Sequence, residues 1–415
     1  MTIFKKLVGL TAFVGLVFCA QTRAADDIKI GVIFPLSGNS AGAGKSALAA
    51  VELAAQIINE PHPELAPLTL AGSGGLPNLG GAKIKIIAAD HQGNPSEGQA
   101  QTLRLITQEK VVGMVGTYQS AVALTATATA ERYGIPFIIG DGVAANITER
   151  GFKWTFRTTP IASDFATNYV EYLSDLKKAG HPADNIAIVY ENTDYGTSVS
   201  GTVRDIAKKR GLNIVADIAY NANGADVSAQ VLQLKDKKPD AVIFISYTSD
   251  AILYVKTMKS LDYLPPLVIG DDSGFSDGAF IKAAADLAQG VVNRSAWSTG
   301  PKDSVTWRIN EMYKAKTGQD MDDTSGRDMQ GFFVLVDAIN RAKSTKPEAI
   351  QAALKATDLK ADQLMMGYKG VKFDDKGQNT LAATYLIQLT GNNYYSIWPE
   401  KTAEKPLVYP YRGWK

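Results

Sequence analysis

Residues 38–46, GNSAGAGKS, set a Gly-rich turn and a Lys-Ser pair between an apolar run and a helix-like segment. That order of types is the one that cradles nucleotide phosphates. The phosphate loop requires four residues between its first Gly and its Gly-Lys-Ser, whereas five separate Gly38 from Gly44. One extra residue changes which backbone N–H groups converge. The stretch therefore reads as a strand-to-helix turn, of the kind that lines ligand crevices at the carboxyl ends of parallel strands. Asp90, which ends KIIAAD, resembles a magnesium-binding acid in type, but a strand-end Asp capping the turn HQGNPSEG is the simpler reading. His62, His91 and His181 show no HExxH or comparable spacing, so no metal site is expected. No Gly-x-Ser-x-Gly elbow and no recognisable acid–base pair is present, which leaves catalysis without local support. Ser120 follows an apolar run and opens a helix-like stretch; it is expected as the helix N-cap, at a position where a helix N-terminus also attracts a carboxylate.

The elements that must position these residues alternate strand and helix. Apolar runs at 28–34, 84–89, 112–115 and 135–139 are separated by helix-like stretches near 44–59, 97–109 and 119–133. After Pro160 the series restarts with strands at 185–190, 213–217, 240–246, 266–269 and 290–294. Helices are expected near 163–179, 197–210, 226–236, 249–261 and 276–286, and later near 302–317, 328–343 and 347–357. Residues 370–379 and 384–398 read as two strands of a β-hairpin. The Pro- and Gly-rich stretch 60–82 reads as a surface excursion. The fold class is α/β: two Rossmann-like lobes, each a parallel sheet flanked by helices.

The N-terminus bears on the compartment. Lys5 and Lys6 precede an uncharged apolar run from Leu7 to Cys19, and Thr22-Arg23-Ala24 offers a signal-peptidase site. The run is shorter than the roughly 20 residues that span a bilayer. Residues 1–24 read as a cleaved export signal, with periplasmic delivery; acylation of Cys19 is the other reading, although Phe18 precedes it. Cys19 is the only cysteine, so the exported chain holds no thiol nucleophile and no Cys metal site. With 43 basic and 42 acidic residues, the charge balance gives no reason to expect nucleic acid or an anionic membrane as partner. The chain ends at YPYRGWK with no later apolar run long enough to cross a membrane, so a sensory role is expected to need a separate membrane partner.

IKIGVIFPLSG, AERYGIPFI, ITERGFKWTFRTTP, ENTDYGTSVSG and GVKFDDKGQN, in that order behind an export signal, resemble the leucine/isoleucine/valine-binding group of type I periplasmic binding proteins. The resemblance covers nearly all of the chain after the signal. It implies the substrate-binding subunit of an ABC importer: a two-lobe clamp joined by three crossings that closes by hinge bending on a small solute. It implies no cofactor, permease subunits as partners, and a monomer. Fitting the crossings near 158–160, 294–296 and 367–369 divides the chain into lobe 1, 26–159 plus 295–366, and lobe 2, 160–294 plus 367–415. By the same resemblance Ser120 grips a ligand carboxylate, and Tyr195, Tyr247 and Asp272 close from the second lobe, Asp272 as partner of an ammonium. A family Thr that helps hold the ammonium falls on Val143, beside Gly142; valine cannot accept a hydrogen bond, and Asp141 is the neighbour that offers another contact. Arg327 is either a bidentate carboxylate clamp or a solvated helix-start arginine. Trp297 is either an apolar wall of the cleft or a hinge-packing residue. Ala43, within Gly42-Ala43-Gly44, stands where relatives place an aromatic and predicts a roomier pocket. An amino acid or relative is the expected ligand, with a small organic or aromatic acid or amide as the alternative.

Overall fold

A computed structural model of the chain describes residues 27–271 and 273–414. The expected export signal, Cys19 and Asp272 lie outside the described residues.

The first sheet comprises β1 (Ile28–Phe34), β2 (Ile84–Asp90), β3 (Gly113–Gly116), β4 (Phe137–Ile139) and β5 (Thr155–Arg157), in the order β2-β1-β3-β4-β5 and parallel throughout. Its helices are α1 (Ala41–Asn59), α2 (Pro95–Thr107) and α3 (Ser120–Tyr133). The second lobe opens with α4 (Ala162–Lys178) and continues with β6 (Asn185–Glu191), α5 (Asp194–Lys209), β7 (Asn213–Tyr220), α6 (Ser228–Lys237), β8 (Ala241–Ile245), α7 (Thr248–Ser260), β9 (Val268–Asp271), α8 (Ser273–Ser276), α9 (Gly278–Ala284) and β10 (Val292–Ser295). Then α10 (Val305–Thr317), α11 (Asp323–Ala342) and α12 (Pro347–Lys355) precede β11 (Asp358–Lys360), β12 (Gly370–Lys372), β13 (Tyr385–Thr390) and β14 (Asn393–Trp398). The second sheet runs β14-β13-β10-β9-β8-β6-β7, with β13 antiparallel to both β10 and β14.

β8 is a continuous apolar run, and β1 is apolar apart from Lys29, because both faces of a parallel sheet are covered by helices; β8 is buried along its whole length. α1 buries Ala47, Ala50, Val51, Ala54, Ile57 and Ile58, spaced as one face of a 3.6-residue period, and packs on α11. α11 is buried from Asp323 to Asn340 and returns the late part of the chain to the first sheet, against β3 and β4. Gly44 is required by this packing: a Cβ there would sit 2.1 Å from the Pro35 carbonyl oxygen, so α1 can start tight against the end of β1 only with glycine.

Three expectations change. Residues 370–379 do not pair with 384–398; β12 pairs with β11, and β13 turns directly into β14. Val371 and Phe373 bury in the first core, and Gln378 bridges to Arg157, so the chain remains with the first lobe beyond 367–369 and crosses only shortly before β13. The other two passages follow β5 and β10, where Ala296 and Trp297 join the first core. The 60–82 excursion belongs to the first lobe as expected, with Leu65, Leu68, Ala71 and Leu76 buried in the same core. Ser120 is the first helical residue of α3, and Gln119 holds the N-cap position.

Candidate functional site

The carboxyl ends of both sheets face one another, and the loops that follow them bring residues of the two lobes into a common buried cluster. Ala43, Tyr118 and Val143 come from the first lobe, Tyr195 and Tyr247 from the second. The Tyr247 ring lies 5.7 Å from Tyr118 and 5.2 Å from Tyr195, so three aromatic rings run across the interface. Such offset contacts contribute about 0.5–1.5 kcal/mol each beyond area burial. Ala43, with no exposed surface, leaves the space beside them to the rings.

Each loop is held by a specific polar anchor. Asp90 accepts from the Leu36 and Gln92 amides, both at 2.8 Å, and from the Ser37 hydroxyl at 2.6 Å, which ties the GNSAGAGKS turn to the next strand end. His91 is fully buried; its Nε2 donates to the Thr117 carbonyl at 2.9 Å while its Nδ1 accepts from the Gly93 amide at 3.0 Å. Burial holds this imidazole below its ordinary pKa, in the neutral form that such a pair of bonds requires. Glu191 accepts from the Thr193 and Gly196 amides, both at 2.6 Å, and so presents Tyr195 at the start of α5. Burial raises the Glu191 carboxyl despite these bonds. The loop after β4 is held by Arg157, whose guanidinium donates to the Ala144 carbonyl at 2.6 Å, the Gly142 carbonyl at 3.2 Å, Thr148 at 2.8 Å and Gln378 at 2.6 Å. Its acceptors are neutral, and burial pushes its pKa down to about 9.

Beneath the rings runs a buried chain of charges. Tyr195 and Tyr169 donate to the Asp271 carboxylate at 2.7 and 2.5 Å, and Arg294 Nε donates to it at 3.1 Å. Arg294 also lies over the Phe165 ring, 3.6 Å from its centre, and reaches Asp323 at 3.4 Å. Asp323 pairs with Arg327 at 3.0 Å and accepts from the Ala296 amide at 2.7 Å, on the second passage between lobes. Arg327 completes the chain to the Asp141 carboxylate and carbonyl and to Thr159. Three carboxylates and two guanidiniums, all fully or almost fully buried, thus connect the lobes.

The placement of the expected residues follows from this. Ser120, Val143, Tyr195, Tyr247 and Ala43 converge at the interface, where the Ala144 amide donates to Ser120 Oγ at 3.3 Å. Asp141 and Arg327 come together as an ion pair with each other. Arg327 is therefore neither solvated nor a free fork; it positions the loop that carries Gly142 and Val143. Trp297 packs in the first core against α11, where a Cβ on Gly326 would come within 2.6 Å of its ring. Asp272 lies outside the described residues. Sequence reasoning missed Tyr118, Asp271, Arg294 and Asp323. Arg294 carried a signal, a charge inside the apolar run VVNRSAW, and Tyr118 stands two residues before Ser120.

Residues 27–393 match the family model described as periplasmic binding protein. The chain belongs to this family. Among curated relatives, Leu/Ile/Val-binding protein homolog 8 of Brucella suis is 32% identical over 413 residues, covering 97% of this chain and 98% of its own. Among solved structures, the branched-chain amino acid transporter substrate-binding protein LivJ of Streptococcus pneumoniae, in complex with isoleucine, superposes with a TM-score of 0.76 at 22% identity, over 92% of this chain and 100% of that one. A solute-binding protein of an ABC transporter from Rhodopseudomonas palustris BisB5, in complex with 3,4-dihydroxybenzoic acid, gives a TM-score of 0.74 at 19% identity, over 93% of this chain and 98% of that one. The periplasmic binding protein fold accounts for the two sheets and for a cluster assembled from both lobes.

Proposed function

We propose that this chain is the extracytoplasmic substrate-binding component of an ABC importer, which captures an amino acid or a related small polar solute between its lobes and presents it to permease subunits. The observation that carries the reading is the shared burial of Ala43, Tyr118 and Val143 with Tyr195 and Tyr247, since a contact set made of both lobes exists only when they are closed. The closed arrangement is reinforced at its edge, where Asn39 donates to Asn223 at 2.8 Å and the Ala145 amide donates to Ser198 at 3.2 Å, each bond linking one lobe to the other. Ser120 serves the ligand carboxylate at the start of α3, Tyr195 and Tyr247 close on it, and Asp272 pairs with an ammonium. Asp141, Gly142, Arg327 and Trp297 act by holding the walls. The chain works as a monomer in the periplasm, and its work is binding and closure rather than catalysis.

A second reading, a small aromatic acid or amide as ligand, is favoured by the three tyrosine rings and by Val143, which replaces a hydrogen-bonding threonine with an apolar surface. Both readings share one test. Protein unfolded, dialysed and refolded to remove bound solute is melted against amino acids, small amides and aromatic acids. A ligand that binds the folded chain at a hundred times its Kd stabilises it by about 2.7 kcal/mol. The reading expects a shift for one ligand or a few related ones; a folded, stripped protein that shifts with none of them would refute it.

A further inference from the structure

Beside the tyrosine rings the two lobes border a half-open cavity of about 300 Å³. At about 30 Å³ per water, that is room for roughly ten water molecules or a group of similar size. Tyr247 lines it, so it is continuous with the ring cluster. Its polar lining comes from both lobes: Asn39, Ser40, Gln92 and Gln119 from the first, Thr193 and Asn223 from the second. No charged side chain lines it among the described residues. Gln119 is the distinctive member. Its side chain is 7% exposed, and its Oε1 is buried with no hydrogen-bond partner. A buried carbonyl left without a donor costs about 1–3 kcal/mol, and a closed form that holds one is incomplete until a donor arrives.

We infer that this cavity is a subsite for an uncharged carboxamide- or urea-type group of the solute, with Gln119 as the side chain that selects it. The inference rests on the solute-binding reading and deepens it. A carboxylate could draw on the N–H groups at the start of α3, but it would meet no cationic side chain among the described lining residues and has no hydrogen to offer the Gln119 oxygen. An ammonium would meet no carboxylate among those residues. A hydrocarbon would leave Gln119 unsatisfied. A carboxamide presents a donor and an acceptor side by side, and so complements the Gln119 amide whichever of its two ends faces the cavity. Asn39 and Asn223, joined across the mouth at 2.8 Å, close the subsite over the bound group with the same neutral chemistry.

The test is calorimetry on stripped protein with two matched pairs, L-glutamine against L-glutamate and benzamide against benzoate. The amide of at least one pair is expected to bind about tenfold or more tightly than its acid. Gln119→Leu is expected to reduce that preference to less than about threefold with the melting temperature of the ligand-free protein unchanged. Should Gln119→Leu fold poorly, Gln119→Met keeps the side-chain length without a hydrogen-bonding end and is expected to reduce the amide preference in the same way. An acid that equals or exceeds its amide in both pairs overturns the inference, as does an amide preference that survives both substitutions. If other solutes stabilise the stripped protein while neither amide is preferred, only the subsite fails. If no solute of any class binds, the solute-binding reading fails with it.

Discussion

Replacing Asp323 by asparagine keeps the side-chain shape and removes one charge from the buried chain that connects the lobes. In the native protein one carboxylate oxygen accepts from the Ala296 amide at 2.7 Å and the Ser295 hydroxyl at 3.1 Å. The other lies 3.0 Å from Arg327 Nε and 3.4 Å from Arg294 Nη1. Every neighbour is a donor, so the amide nitrogen of asparagine meets donors whichever way it turns. The better orientation keeps the oxygen on the Ala296 amide and sets the new N–H groups against the two guanidiniums. Those arginines then retain Asp271 and Asp141 as their acids, which limits the damage. Breaking a buried pair by removing one partner costs about 3–5 kcal/mol, and the surviving acids place Asp323→Asn near the lower end, at about 3 kcal/mol. Urea unfolding followed by circular dichroism should show this as a lower midpoint with an unchanged slope. The double variant with Arg294→Met should lose less than the sum of the single losses, by about 1 kcal/mol or more, because the two side chains share one interaction. A loss below about 1 kcal/mol for Asp323→Asn, or additive losses in the pair, would refute the view that these charges depend on one another.

Four further outcomes follow from the same geometry. Asp322, which accepts from Ser46 and the Ser325 amide, is pushed up to about 6 by burial and by Asp277 of the other lobe. A raised carboxyl costs stability as pH rises from the ordinary value through 6, so Asp322→Asn should gain about 1–2 kcal/mol at pH 8 and nothing below pH 4, read as paired melting curves. His91 has the opposite sense: its lowered pKa makes the native protein lose stability as pH falls below the ordinary imidazole value, and His91→Asn should flatten that limb of the pH–stability curve. Arg157→Lys replaces a fork of bonds to Gln378, Thr148 and two carbonyls by a single ammonium, and should weaken ligand binding about tenfold by loosening the 142–144 loop, as measured by calorimetry. Asn39→Ala removes an exposed bond between lobes and should speed ligand release about two- to fivefold in stopped flow, with association little changed.

What could be read from the sequence was what local pattern specifies. The apolar runs at 28–34, 185–190 and 240–246 became β1, β6 and β8 within a residue or so, because strands buried on both faces need continuous apolar sequence. Tyr195 and Tyr247 were named through the family resemblance rather than from local pattern, and the structure brings their rings within 5.2 Å of each other. Partners far apart along the chain were not readable. Nothing in GVKFDDKGQN announces that β12 pairs with β11 rather than with β13, since the choice depends on Val371 finding the first core. The expected roles of Asp141 and Arg327 also turned on distance: each was read singly, and only the fold brings α11 beside the loop after β4 and joins the two. Asp271, Arg294 and Asp323 escaped for the same reason, because a buried charge is intelligible only through its counter-charge.

The central claim, closure of two lobes on a solute, is tested most directly by an inter-lobe distance. The sequence has a single cysteine, Cys19, in the expected export signal, so introduced cysteines can be labelled cleanly once that segment is removed. Leu103 on α2 is 38% exposed and Leu232 on α6 is 52% exposed, one on each lobe. Pro95, which opens α2, and Asn223, just ahead of α6, both line the mouth of the cleft, so this pair reports its width. Spin labels at Leu103→Cys and Leu232→Cys, measured by pulsed electron resonance on stripped protein, are predicted to show a longer, broader distance distribution that narrows and shortens when ligand saturates the site. The same distribution with and without a ligand that calorimetry shows to be bound would contradict the account.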